Sequence, residues 1–340
     1  MKKYLKLLIC AAAASAMCMG ATALAAFDDM PDGEMGEALQ HAVDAGLIQG
    51  MTETTIAPYD NITRAQMATI ITRAFSAQEN SDKAFNDVAS DAWYADAVSK
   101  AAAMGAFEGD AENNFNPESN ITFQETYTVI ARMFGFEPYE LVYSDGTRMM
   151  LGDCDMSVLD GFADKDEIAD WAVDNTKYVV GNGGWTGIDG LLKPTSYITR
   201  GEFAMLMDEI VTTYIDEPGT YTNLPDGLTM VRCGGVTIDG LQTNHNLILT
   251  YGIDESGCNV VNSTVNGVTL VLGGVDKTPV EQTDSNGETK YSPDESYISI
   301  SGNFYDVRVN TPFVFLDASS ANVSYFKGTE NSLVSLTFTQ

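Results

Sequence analysis

The sequence predicts an α+β chain in two parts, an all-α module of three packed helical repeats followed by an all-β domain. Over the first 211 residues one pattern occurs three times: a Phe-x-Asp opening, a helix ending in Gly-x-hydrophobic-x-Gly, a proline, and five residues later a threonine that starts a second helix. Beyond it the helical period disappears, and short Val/Ile/Leu/Thr runs separated by Gly, Asn and Asp take over, which is the pattern of strands and turns. Two adjacent segments of that second part align at an offset of 22 residues, the kind of self-similarity that stacked coils produce.

The chain opens with Lys2, Lys3 and Lys6, an apolar stretch from Leu7 to Met19, and Ala-Leu-Ala at 23–25. Residues 1–26 read as an export signal, with the mature protein acting outside the cytoplasm. No later apolar run approaches the roughly 20 residues that a membrane helix needs, so no membrane span is expected. Three of the 18 basic residues and none of the 48 acidic ones lie in the signal, which leaves 15 against 48, a formal charge of -33. Phosphate binding needs clustered Lys and Arg, so nucleic acid is excluded as a partner. Any anionic ligand must be caught by a few local cations.

Cys154, Cys233 and Cys258 remain after the signal. That odd number rules out a disulfide framework. A single bridge between Cys233 and Cys258, or free thiols throughout, both fit. His41 and His245 stand far apart without ligand-spaced neighbours, so neither a metal nor any other cofactor is expected, and His41 reads as a packing or solvent residue.

The repeats span 27–76, 85–136 and 161–211. Their Gly-to-Gly steps are Gly46 to Gly50, Gly105 to Gly109 and Gly183 to Gly187, followed by Pro58, Pro117 and Pro194. In the second copy Trp93, Ala97, Val98, Ala101 and Met104 follow three- and four-residue spacing, an amphipathic helix that Gly105 ends. Trp171 holds the corresponding place in the third copy, Glu34 in the first. Thr63 with Gln66, Thr122 with Glu125 and Thr199 with Glu202 are capping boxes, in which hydroxyl and acid or amide satisfy orphan donors at a helix start. A helix pair this small cannot bury the apolar stripe that follows, so the copies should pack together. Residues 137–160, rich in Pro, Gly and acidic turn formers around Leu141 and Val142, read as an inserted surface loop or short hairpin.

Capping does not explain Arg64 and Arg200. Each sits in the first turn of a helix, where the dipole disfavours a cation by about 0.3–1 kcal/mol. The partner is either internal, the aspartate of the Phe-x-Asp opening at Asp29, Asp87 or Asp164, or external, an anionic ligand held by the guanidinium.

Phe-x-Asp, the Trp helix, Gly-x-hydrophobic-x-Gly and Ile-Thr-Arg-x-Glu/Gln, in register three times, resemble S-layer homology (SLH) repeats. The resemblance covers 27–211. It implies a pseudo-threefold helical module that binds secondary cell-wall polysaccharide, commonly through a pyruvate ketal, in grooves between repeats, and so a secreted protein of the cell wall. It assigns the charged contact to Arg64 and Arg200, with sugar or groove contacts from Trp93, Trp171, Asp29, Asp87 and Asp164. Phe123 replaces the arginine in the second copy, and the first copy lacks the tryptophan, so one or two competent grooves are expected.

A short linker is read over 212–221, and an all-β domain over 222–340. Its runs are 236–238, 246–250, 268–272, 297–301, 307–309, 313–316 and 333–338. The aligned pair places Ile238 on Val260, Ile248 on Leu270, Leu249 on Val271 and Gly252 on Gly274. A short β-solenoid is expected, with a β-sandwich of about seven strands as the alternative. Residues 276–296, polar and turn-rich, read as an exposed loop. Asp239, Asp254, Glu255, Asp306 and Asp317 give no carboxylate pair at a repeated position of the register, so no enzyme is expected. The alternative is a wall-anchored carbohydrate-active enzyme with a β-helix catalytic domain.

Overall fold

Each second helix begins at its threonine, and the three begin alike. In the computed structural model, which describes residues 27–142, 145–283, 289–293, 295–329 and 332–336, the Thr63, Thr122 and Thr199 hydroxyls accept from the backbone of Gln66, Glu125 and Glu202 at 3.3, 3.4 and 3.3 Å. Those side chains accept the threonine N–H in return. The export signal read over 1–26 lies outside the described residues. The chain divides after Ile210 into two units.

The first unit carries α1 (Glu34–Asp44), α2 (Arg64–Ala74), α3 (Ala95–Ala103), α4 (Phe123–Met133), α5 (Val173–Gly181) and α6 (Arg200–Ile210). Helices pair across repeats: α2 packs on α3, α4 on α5, and α6 on α1. Around the pseudo-threefold axis, Ile62 N–H donates to Ile198 O, Ile198 to Ile121 O and Ile121 to Ile62 O, at 2.9, 3.1 and 3.0 Å, a closed cycle of three fully buried isoleucines.

The same cycle explains the spacing of proline and threonine. The first two N–H groups of α2 donate to the carbonyls of Ser119 and Pro117, those of α4 to Ser196 and Pro194, and those of α6 to Asp60 and Pro58. Donors that no helix can satisfy internally are thus met by the proline loop of the next repeat. The second glycine of each Gly-to-Gly step packs on the phenylalanine of its Phe-x-Asp opening: a Cβ at Gly50, Gly109 or Gly187 would lie 2.5, 2.6 or 2.9 Å from a ring atom of Phe27, Phe85 or Phe162.

In the inserted segment, β1 (Tyr139–Val142) and β2 (Arg148–Leu151) pair antiparallel, so the excursion is a hairpin. The exposed Asp153 ties it to α5 through the buried Lys177, at 2.9 Å.

The second unit opens with β3 (Val211–Ile215) and β4 (Gly219–Thr222), so the stretch read as a linker is strand. Pro218 and Gly219 suggested a linker, but Val211, Ile215 and Tyr221 are buried. There follow β5 (Leu228–Val231), β6 (Val236–Asp239), β7 (Gln242–Thr243), β8 (Leu247–Leu249), β9 (Cys258–Val271), β10 (Val280–Thr283), β11 (Thr289–Ser292), β12 (Ile298–Val309), β13 (Phe315–Lys327) and β14 (Leu333–Leu336). Apart from the antiparallel β10–β11 hairpin, the named strands of this unit pair in parallel, coil on coil. This is a β-solenoid of about six turns, not the antiparallel sandwich.

The 22-residue alignment is its register: Ile238 pairs with Val260, Ile248 with Leu270 and Leu249 with Val271. One apolar ladder runs Val236, Cys258, Ile298, Leu316, Val334. Between Cys258 and Ile298 the offset grows to 40 residues, and that extra length holds the β10–β11 hairpin where the sequence suggested a loop.

Candidate ligand grooves between the repeats

Arg64 and Arg200 stand where α2 and α6 meet the next repeat, and Phe123 holds the same place on α4. Arg64 Nε donates to Phe115 O at 2.8 Å, with its guanidinium 5.2 Å from the rings of both Phe107 and Phe115. Arg200, 5% exposed, donates from Nε to Ile56 O at 2.7 Å and from Nη2 to Gln49 O at 2.5 Å. Both arginines therefore tie one repeat to the next through backbone carbonyls. Burial pushes the pKa of each guanidinium down, and neighbouring carboxylates push it back, Glu125 first for Arg64 and Asp60 first for Arg200.

The Phe-x-Asp carboxylates are engaged elsewhere. Asp29 accepts from the N–H groups of Ile56 and Ala57, Asp87 from Phe115 and Asn116, and Asp164 from Leu192 and Lys193, all between 2.7 and 3.0 Å. These clamps hold Ala57, Asn116 and Lys193 at φ of 52, 58 and 51°, a conformation that side chains rarely adopt. Backbone hydrogen bonds keep the Asp29 carboxyl below its ordinary value. Neither arginine makes an ion pair with a clamp; Arg64 lies 3.8 Å from Glu125.

Trp93 and Trp171 lie just ahead of α3 and α5, 65% and 57% exposed. Glu34 begins α1 in the first repeat. The sequence reading did not single out Arg73, whose Nη1 donates to Leu47 O and Nη2 to Gln49 Oε1, so that it and Arg200 converge on Gln49. Its register was visible, since Arg132 and Glu209 stand nine residues into the other second helices, as Arg73 does in α2. There the partners are charged or hydroxylic: Arg132 approaches Glu108 at 3.6 Å, and Glu209 accepts from Thr186. His41 Nδ1 sits 2.9 Å from Asp208, a link between α1 and α6 that the reading of His41 as a packing or solvent residue omitted.

The S-layer homology domain matches residues 26–68 and 84–126. The first two repeats are SLH domains. The third copy reproduces their capping box, clamp and glycine contact. The chain is 32% identical over 179 residues to the surface-layer 125 kDa protein of Lysinibacillus sphaericus, covering 52% of this chain and 14% of that protein. It is 25% identical over 231 residues to an S-layer protein of Bacillus licheniformis, 63% of this chain and 24% of that one, and 27% identical over 187 residues to exoglucanase XynX of Acetivibrio thermocellus, 53% and 16%. It thus spans less than a quarter of the length of these relatives. With SLH repeats and S-layer relatives, the protein is a secreted one of the cell surface.

In the solenoid four of the five carboxylates weighed for catalysis serve local structure. Asp306 and Arg308 form a buried pair at 2.8 Å, Asp239 accepts from Asn262, and Asp254 and Asp317 accept from the N–H groups of Ser256 and Ser319. Cys154, Cys233 and Cys258 are free thiols. Cys258, a rung of the apolar ladder, is pushed up to about 12 by burial.

Proposed function

We propose that the SLH module holds this exported protein non-covalently to the bacterial cell wall by binding secondary cell-wall polysaccharide, pyruvylated, in its inter-repeat grooves, and that the solenoid is displayed from it. Arg200 carries this reading. It is a buried cation at a helix start, set against the dipole, with no carboxylate within 4.0 Å among the described residues. A ketal carboxylate would supply the missing counter-charge through a charge-assisted hydrogen bond. Arg64, Trp93 and Trp171 complete the proposed contacts, and the three aspartate clamps shape the groove walls. Binding and display is the proposed role, without catalysis.

Co-sedimentation of the protein with sacculi, before and after extraction of the polysaccharide, tests this. Binding is expected to disappear on extraction; undiminished binding to stripped peptidoglycan would overturn the ligand. A second reading, a wall-anchored carbohydrate-active enzyme, is favoured by the exoglucanase and by an amylopullulanase of Thermoanaerobacterium thermosulfurigenes among the relatives. Release of reducing ends from purified wall glycans by the protein would establish it.

A further inference from the structure

The capping box of the first repeat differs from the other two in one atom. In the second repeat, one oxygen of Glu125 accepts the Thr122 N–H at 2.8 Å, and the other faces Arg64 across the junction at 3.8 Å. In the third, one oxygen of Glu202 accepts the Thr199 N–H at 3.0 Å, and the other pairs with Lys193 at 2.7 Å. Each capping carboxylate therefore neutralises a groove cation with the oxygen that capping leaves over.

In the first repeat the capping residue is Gln66. Its Oε1 is committed to the Thr63 N–H at 3.1 Å, so the atom left over is Nε2, a donor. Nε2 lies 4.0 Å from Sδ of Met51, the residue after Gly50, at the place Asp110 holds after Gly109. Asp110 is one of the carboxylates acting on Arg64. The junction of the third repeat with the first thus replaces both Glu125 and Asp110 by uncharged groups. It gathers Arg200 and Arg73 on Gln49, and neither arginine makes a carboxylate ion pair among the described residues. Asp60 and Asp29 act on Arg200 only from beyond pairing distance. The junction of the first repeat with the second sets Glu125, Glu108 and Glu137 against its two arginines, within 4.0 Å.

We infer that Gln66 is the residue that selects the groove between the third and first repeats for a carboxylate-bearing glycan, by leaving its arginines unneutralised and putting an amide donor at the capping position from which Glu125 faces Arg64. This rests on the reading that the grooves hold wall polysaccharide. Charge selection of this kind needs no new contact, because removing an internal competitor leaves the cation for the ligand. The substitution also costs the helix nothing, since Gln and Glu both close a capping box.

The test is Gln66→Glu in the full protein, titrated with polysaccharide released from sacculi, used intact and after carbodiimide amidation of its carboxylates. The wild type is expected to bind the intact polymer at least tenfold more tightly than the amidated one. Gln66→Glu is expected to lose at least tenfold on the intact polymer and nothing on the amidated one, with a melting temperature equal to or above the wild type's. Glu125→Gln should stay within twofold of wild type, because Asp110 and the clamps remain beside Arg64. Gln66→Glu binding the intact polymer like wild type, or an equal loss on both polymers, would overturn the inference. A wild type that binds neither polymer would instead sink the anchoring reading beneath it.

Discussion

In the SLH module every repeat meets both of the others, whereas in the solenoid each coil meets only the coils on either side. The ring of Ile62, Ile121 and Ile198 closes on itself; the ladder from Val236 to Val334 has two ends. A closed ring shares each groove between two repeats, so a change in one capping residue alters a site whose arginine belongs to another. An open stack propagates register, and tolerates a 40-residue step between neighbouring coils by taking up a hairpin in the connection. Unequal sites arise from the first arrangement, unequal coil lengths from the second.

The largest test of this contrast is Ile121→Asp. A carboxylate at the fully buried centre of the ring should cost more than about 4 kcal/mol and abolish the helical transition in circular dichroism, while the β-sheet signal persists. Loss of both together would show that the two units do not melt separately. Arg308→Met should do the reverse. It removes the 2.8 Å partner of Asp306, 2% exposed, at about 3–5 kcal/mol, and lowers the solenoid's melting step alone. Asp87→Asn weakens one clamp and should lower the helical step by about 1–3 kcal/mol, measured by urea denaturation.

Acid should separate the units less. The carboxyls of Asp29 and Asp110 in the module, and of Asp254 and Asp317 in the solenoid, are held below the ordinary 3.8, mainly by hydrogen bonds they accept. Their folded values lie below their unfolded ones, so their stabilisation is complete above the unfolded value and is lost as pH falls through the folded one. Both melting temperatures should therefore hold from neutrality to about pH 4 and fall together below it; a step that rises on acidification would contradict these assignments. The smallest effect is Trp93→Ala. At 65% exposure it should change stability by less than about 0.5 kcal/mol while weakening polysaccharide binding severalfold in the same titration.

Much of this was legible in the chain because it is periodic. Thr, Glu and Gly recur for capping and packing, and the 22-residue offset is the spacing of paired residues. The linker reading over 212–221 failed because Pro218, Gly219 and the neighbouring acids look like turn composition, whereas the burial of Val211, Ile215 and Tyr221 depends on a neighbouring coil that only tertiary structure supplies. At the grooves, Arg64 and Arg200 stood out against the helix dipole. Gln66 did not, because Gln and Glu cap alike and their difference matters only at the atom turned toward another repeat. The aspartates looked like partners for the arginines, but their two oxygens match two successive N–H groups in their own repeat, a fit that one-dimensional spacing does not reveal.

The pairing of α1 with α6 has a consequence for how the protein comes into being. A chain crossing a membrane with its amino end leading delivers α1 first and its partner last. The helices α2 and α4 meet α3 and α5 soon after they emerge, but α1 must wait for more than 150 residues of chain to follow. Until then the groove lined by Arg200 and Arg73 does not exist, because its two walls come from opposite ends of the module. Wall attachment through that groove would therefore be withheld until the last repeat has left the cell, so that the ring acts as a check on export of the whole module, ahead of the solenoid that follows it.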